Sequence, residues 1–162
     1  MAERDPETVR RFIERFASDL VEAGVPRMPA RVFAALLGSD SGRLTAAELS
    51  ETLQVSPAAI SGAVRYLSQV RMLRREREPG SRRDVYVSDA DIWFEAILNR
   101  DRIIPRWQKS IREGVEALGP DTPAGERLAE TLAFFDYIHE ELPKFLAEWQ
   151  KRKAEIRAAR ES

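Results

Sequence analysis

The chain has 162 residues, 43% apolar and 33% charged, with one histidine, no cysteine and a net charge of -1. That length and mixture suit one small domain, or a small domain with a helical extension, and exclude a disordered chain. The absent cysteines exclude disulfides, thiol redox sensing and cysteine-based zinc sites; with no apolar leader stretch, and a longest apolar run (Val32 to Leu37) far too short to span a bilayer, a soluble cytoplasmic protein is expected.

In chain order, Asp5-Pro6 reads as an N-cap followed by proline at the first helical position. Val9, Phe12, Ile13, Phe16 and Leu20 then recur on one helical face as far as Gly24 and Pro26. A second short helix is predicted after Pro29, carrying Val32, Phe33, Leu36 and Leu37, and it stops at the Gly38-Ser39-Asp40-Ser41-Gly42 cluster. Thr45 and Glu48 form a capping-box pattern that opens a third helix with Leu49 and Leu53 inside. Gln54-Val55 makes a turn, and Ser56-Pro57 caps a fourth helix whose Ile60, Val64 and Leu67 face inward. Two short strands around Pro79-Gly80-Ser81 form a hairpin. Ser88 is predicted to cap a long helix, with Asp91 at its third position and a stripe of Ile92, Ala96, Ile103, Trp107, Ile111, Val115 and Leu118. Thr122-Pro123 caps the last helix, lined by Leu128, Leu132, Phe135, Leu142, Leu146 and Trp149. Pro105 and Pro143 are expected to kink these two helices. No internal repeat or low-complexity linker interrupts the series.

The average charge conceals a local imbalance. Between Arg71 and Arg83 lie Arg71, Arg74, Arg75, Arg77, Arg82 and Arg83 against Glu76 and Glu78 only, a window of +4. A phosphate backbone responds to local potential, so the neutral average does not exclude a nucleic-acid partner.

A capped helix, a tight turn, a second capped helix and a basic hairpin make a winged helix-turn-helix. The expected fold is mainly α with a small β-hairpin wing and long helical dimerisation arms. Such a head suits duplex DNA: a helix fits the major groove with its N-terminal residues at the base edges, and arginines of the wing reach the neighbouring minor groove or phosphates. With Ile60, Val64 and Leu67 inward, Pro57, Ala58, Ser61, Gly62 and Arg65 face outward. Small residues there let the backbone approach the groove floor, Ser61 offers a hydroxyl, and Arg65 can fork onto guanine or a phosphate. Ser56, Tyr66, Arg74, Arg75, Arg82 and Arg83 complete the candidate DNA-binding set, with Tyr66 open between touching phosphate and closing the core.

The stretch LTAAELSETLQVSPAAISGAVRYLSQVRMLRREREPGSRRDVYVSD, Leu44 to Asp89, resembles the MarR family, and within it the GbsR-like branch. The VSPAAISGAVRYL helix followed by RREREPGSRRDVY is the most specific part. The resemblance implies a homodimer that represses transcription from a palindromic operator, often relieved by a small molecule, with a minor-groove arginine in the wing at Arg82 or Arg83. Residues 1–28 are expected to form a dimerisation helix, 29–88 the DNA-binding domain and 89–162 the C-terminal dimerisation region. The alternative is a winged-helix module for protein contact without DNA, for which so many arginines in one short window have no use.

Trp93, Phe94, Trp107, Phe134, Phe135 and Tyr137 lie in the two long helices. They serve core and dimer packing, or line an apolar pocket for a small apolar or aromatic effector, for which Trp93, Trp107, Phe134 and Tyr137 are the candidates. Asp136, His139 and Glu140 share a helical face at metal-ligand spacing, but a lone histidine among surface carboxylates reads as a solvated face. No cofactor is expected. No nucleophile elbow, phosphate loop or Ser-His-Asp order is visible, so no enzymatic activity is expected either.

Overall fold

Capping chemistry fixes where the helices begin. In the computed structural model, which describes residues 5–88, 91–93 and 100–161, helix α1 (Pro6–Glu22) starts on Asp5, whose carboxylate accepts from the Glu7 and Thr8 N–H groups at 3.2 Å each. Helix α2 (Arg27–Gly38) starts two residues before Pro29, on Pro26. The proline is harmless there, because the first four N–H groups of a helix have no intrahelical partner to lose. After it come strand β1 (Arg43–Thr45), helix α3 (Ala46–Leu53) and helix α4 (Pro57–Gln69). Strands β2 (Arg74–Arg77) and β3 (Asp84–Val87) follow, then helices α5 (Arg100–Leu118) and α6 (Pro123–Glu161), each continuous through its internal proline.

The hairpin predicted from the sequence is present and has a third strand beside it. The antiparallel sheet has the order β1-β3-β2, with Leu44 opposite Tyr86 and Arg75 opposite Tyr86 from the other side. Strand β1 is too short for alternation to show in the sequence, and its last residue doubles as the cap of α3. Ser88, just past β3, is buried, its N–H donates to the Gly42 carbonyl at 2.9 Å, and its hydroxyl has no hydrogen-bond partner among the described residues; the start of the helix it is expected to cap lies outside the described residues. Gly42 has a φ of +62°, and a Cβ there would stand 2.8 Å from the Ser88 carbonyl oxygen, so glycine is required on both counts. The readings placed on Phe94 and Ala96 lie outside the described residues.

The chain divides into two compact units, residues 1–96 and 97–162. The core of the first gathers Ile13, Ala17 and Leu20 of α1, Phe33 and Leu36 of α2, Leu49 and Leu53 of α3, Ile60 and Leu67 of α4, with Leu73, Tyr86 and Ile92. In the second unit α5 packs along α6. Ile104 and Leu146 are buried, while Ile111, Val115, Leu128, Leu132, Phe135 and Leu142 are half-buried. The predicted α5 stripe is thus corrected by one residue. Ile104, Ile111 and Val115 turn inward, and Ile103, Trp107 and Leu118 occupy the adjoining exposed face. Among the described residues no helix is long and apolar enough to cross a membrane.

Candidate nucleic-acid interface

Helix α3 braces α4 through a short turn. A full capping box holds the start of α3: the Thr45 Oγ1 accepts from the Glu48 N–H at 3.2 Å, and the Glu48 carboxylate accepts from the Thr45 N–H at 2.7 Å. That backbone donor, with the Thr45 hydroxyl second, holds the Glu48 carboxyl below its ordinary range. After Leu53 the chain reverses at Gln54, in the left-handed region at φ 55°. The Val55 N–H returns to the Ser50 carbonyl at 3.1 Å, and the Ser56 hydroxyl caps α4 by accepting from the Ala59 N–H at 3.3 Å.

Helix α4 then sorts its side chains as its spacing dictates. Ile60, Ala63, Val64 and Leu67 are buried, and Pro57, Ala58, Ser61, Gly62 and Arg65 are all exposed. A Cβ at Gly62 would meet nothing within 4 Å. Packing therefore does not demand this glycine, which costs about 1 kcal/mol of helix stability relative to alanine; close approach of another molecule gives it a use. Tyr66 is half-buried and packs against the core.

The wing closes through the Glu78 N–H on the Arg83 carbonyl at 3.3 Å, with Gly80 at φ +78° and the Arg83 N–H donating to the Ser81 hydroxyl at 3.1 Å. The basic window divides into paired and unpaired cations. The Arg75 guanidinium donates across the hairpin to Asp84, lowering that carboxyl below its ordinary range and raising its own. Arg43, on β1, pairs with Glu76 at 2.8 Å. Arg74 is half-buried. Arg65, Arg82 and Arg83 are exposed and make no ion pair among the described residues. The acids of the strands, Glu76 and Asp84, are thus engaged by Arg43 and Arg75, and the charges of Arg65 on α4 and of Arg82 and Arg83 at the wing turn stay open to solvent.

Between α4 and the sheet runs an open groove of about 370 Å³ lined by Ser61, Val64, Arg65, Ser68, Gln69, Arg75 and Tyr86. It joins Ser61, Arg65 and Arg75 of the sequence-derived set. Ser68 and Gln69 are additions, foreshadowed only by lying three and four residues beyond Arg65.

The effector candidates fall in both units. Trp93, in the first, is 42% exposed and meets Phe33 edge-on at 5.2 Å. In the second, Trp107 and Phe134 each meet Phe135 edge-on, at 5.5 and 5.4 Å, and Tyr137 is exposed. Asp136 accepts from the Gln108 amide at 2.6 Å, and among the described residues no three His, Cys, Asp or Glu groups gather to hold a metal ion.

Comparison with known proteins matches residues 23–84 to the MarR family and residues 91–152 to the MmpR5-like MarR family transcriptional regulators. Among solved structures, one described as a transcriptional regulator superposes with a TM-score of 0.78 at 23% identity, over 89% of this chain and 99% of that one. That likeness shows the fold. Remoter matches are Sco3205, a MarR family transcriptional regulator from Streptomyces coelicolor solved with DNA (TM-score 0.41, 21% identity, 92% of this chain and 81% of that one), and MepR from Staphylococcus aureus (TM-score 0.39, 14% identity, 95% and 87%). No curated protein matches the chain. Two non-overlapping segments, one over the winged helix and one over the terminal helices, are thus each similar to MarR-type transcriptional regulators.

Proposed function

We propose that the protein works as a two-fold homodimer that represses transcription from an inverted-repeat operator. Residues 29–88 read the DNA, and residues 1–28 and 89–162 supply the dimer surface. The N-terminal part of α4 lies in the major groove, and Arg82 and Arg83 lie along the adjacent minor groove or its phosphates. The observation that carries this reading is the exposed face of α4, small residues with Arg65, beside a wing whose turn arginines are exposed and make no ion pair among the described residues. Dimerisation is supported by the large apolar side chains that stand open on α5 and α6, since pairing like with like about a two-fold axis buries both copies at once. The GbsR-like placement comes from the sequence resemblance, which is strongest over Leu44 to Asp89.

Selection and sequencing of bound genomic fragments, followed by footprinting, tests the reading. Two half-sites with centres about one helical turn, roughly 10 base pairs, apart are expected. Protection of a single asymmetric half-site would contradict it. Relief by a small apolar or aromatic molecule belongs to the same proposal. It requires a ligand that binds better to the form unable to read the operator, and reciprocity then demands that operator weaken the ligand by the same factor. Intrinsic fluorescence of Trp93 and Trp107, titrated with and without operator, measures both sides of that coupling; equal ligand affinity in the two titrations removes the effector role.

A further inference from the structure

Arg31 lies outside the candidate DNA-binding set, yet its guanidinium joins three elements of the reading head. From α2 it reaches α1, donating from Nε and Nη2 to the Glu14 Oε1 at 2.9 and 2.7 Å. The same Nη2 donates to the main-chain carbonyl of Leu53 at 3.1 Å, and Nη1 rests on the Met28 sulfur at 3.7 Å. The Arg31 side chain is 17% exposed, against 45% for Glu14. Leu53 is the last residue of α3, and its carbonyl is one of the acceptors that a helix C-terminus leaves without an intrahelical donor. A guanidinium is well suited to it by hydrogen bond and by charge, since the C-terminus carries the negative end of the helix dipole. The next residue is Gln54, where the chain turns toward α4.

We propose that Arg31 is a positioning residue for DNA reading: it pins the end of α3 to α1, so that the turn into α4 starts from a place set by α1. This rests on the proposed operator-reading role. Its consequence is that movement of α1 reaches the recognition helix through the Arg31 guanidinium as well as through the packed core. Nη2 alone reaches both acceptors, and the planar fork adds a second bond, from Nε to the Glu14 Oε1, that a lysine ammonium standing at the Nη2 position would lack.

The test compares Arg31→Met, Arg31→Lys and Glu14→Gln with the unmodified full chain by two readouts. Hydrogen exchange of the free protein reports the turn through the Gln54 and Val55 amides, which bond the Glu51 and Ser50 carbonyls. Arg31→Met is expected to speed exchange there by about tenfold, the worth of one charge-assisted hydrogen bond, with Arg31→Lys in between. Operator affinity should fall by a similar factor while affinity for random DNA and its salt slope stay unchanged. Unaltered exchange together with an unaltered ratio of operator to random binding overturns the proposal. So does equal loss on both DNAs with a shallower salt slope, which makes Arg31 a phosphate contact. Should Arg31→Met fail to fold, Glu14→Gln decides: faster exchange at Gln54 and Val55 supports the tether, and unchanged exchange overturns it. A wild-type chain without operator preference defeats the proposed function, while the exchange measurement still judges the tether.

Discussion

In residues 1–96 a set of large apolar side chains is withdrawn from solvent, Phe33, Leu36, Leu49, Ile60 and Leu67 being 0% exposed and Ile92 1%, although Phe12 and Trp93 stay exposed. In residues 97–162 the order is inverted. Trp107 is 51% exposed, Phe134 59%, Tyr137 61% and Phe145 64%, and only Ile104 and Leu146 are buried among the described large apolar side chains. A sheet with four helices can enclose a core, whereas two helices bury one stripe each and leave the remainder of an apolar surface in water. The N-terminal unit therefore encloses a core of its own, and the C-terminal unit leaves large apolar side chains in water, the surface on which the proposed dimer rests.

The strongest way to test that division is Phe33→Ala. Removing a fully buried aromatic costs about 3–5 kcal/mol, much of the stability of a small domain. Denaturation should show it, and Trp93 fluorescence should change with it, since the two rings meet edge-on at 5.2 Å. In the C-terminal unit, Phe134→Ser together with Phe145→Ser should leave the unfolding of the N-terminal unit within about 0.5 kcal/mol of wild type, the usual range for exposed positions. Sedimentation should instead shift from dimer to monomer. Persistence of the dimer would make those aromatics plain surface and remove the functional half of the comparison.

Capping residues and helical periodicity made most of the N-terminal unit legible. Asp5, Thr45, Ser56 and Thr122 each cap the helix assigned to them, and Ile60, Val64 and Leu67 point inward as their spacing requires. What escaped depends on distant partners. Strand β1 exists because β3 lies beside it, and the Ser88 N–H finds its partner in the Gly42 carbonyl, far off in sequence. On α5, Ile103 and Ile104 are adjacent in sequence, and only the packing of α5 on α6 decides which is buried. The outward face of α4 was readable because burial of the other face dictates it. Pairing of Arg75 with Asp84 was not fixed by sequence, because Glu76 and Glu78 were equally available.

Within the reading head, Arg65 and the wing should fail in different ways. Arg65→Ala is expected to cost about 1–3 kcal/mol on the operator and to relax preference at one base position. Arg82→Ala and Arg83→Ala should weaken operator and random DNA alike, and each should reduce the salt slope by about one. Measuring all three on both DNAs over a salt series checks this, and uniform losses for all three would remove base reading from Arg65.

The smallest effect compares the caps that open α3 and α6. Thr45 at the start of α3 has Glu48 as its reciprocal partner, whereas Thr122 at the start of α6 accepts from the Gly125 N–H at 3.0 Å and has no carboxylate at that position. Either threonine replaced by alanine should cost about 1 kcal/mol, the usual worth of an N-cap. Their pH dependence should differ. Glu48 has a carboxyl lowered from its ordinary 4.5 by hydrogen bonds from Thr45, so its charged form is favoured in the folded chain. The stability it contributes is fully present above its unfolded value and is lost as pH falls through the lower folded value. Glu48→Gln should therefore cost about 0.5 kcal/mol at neutral pH, a solvent-screened first-turn carboxylate being worth no more. The gap to wild type should close as the medium is acidified below pH 4.5. Thr122→Ala should cost the same in acid as at neutrality, because a hydroxyl and a main-chain N–H do not titrate. Urea denaturation at a series of pH values measures both, and a Glu48→Gln penalty that survives strong acid would show that the carboxylate charge has no part in holding α3.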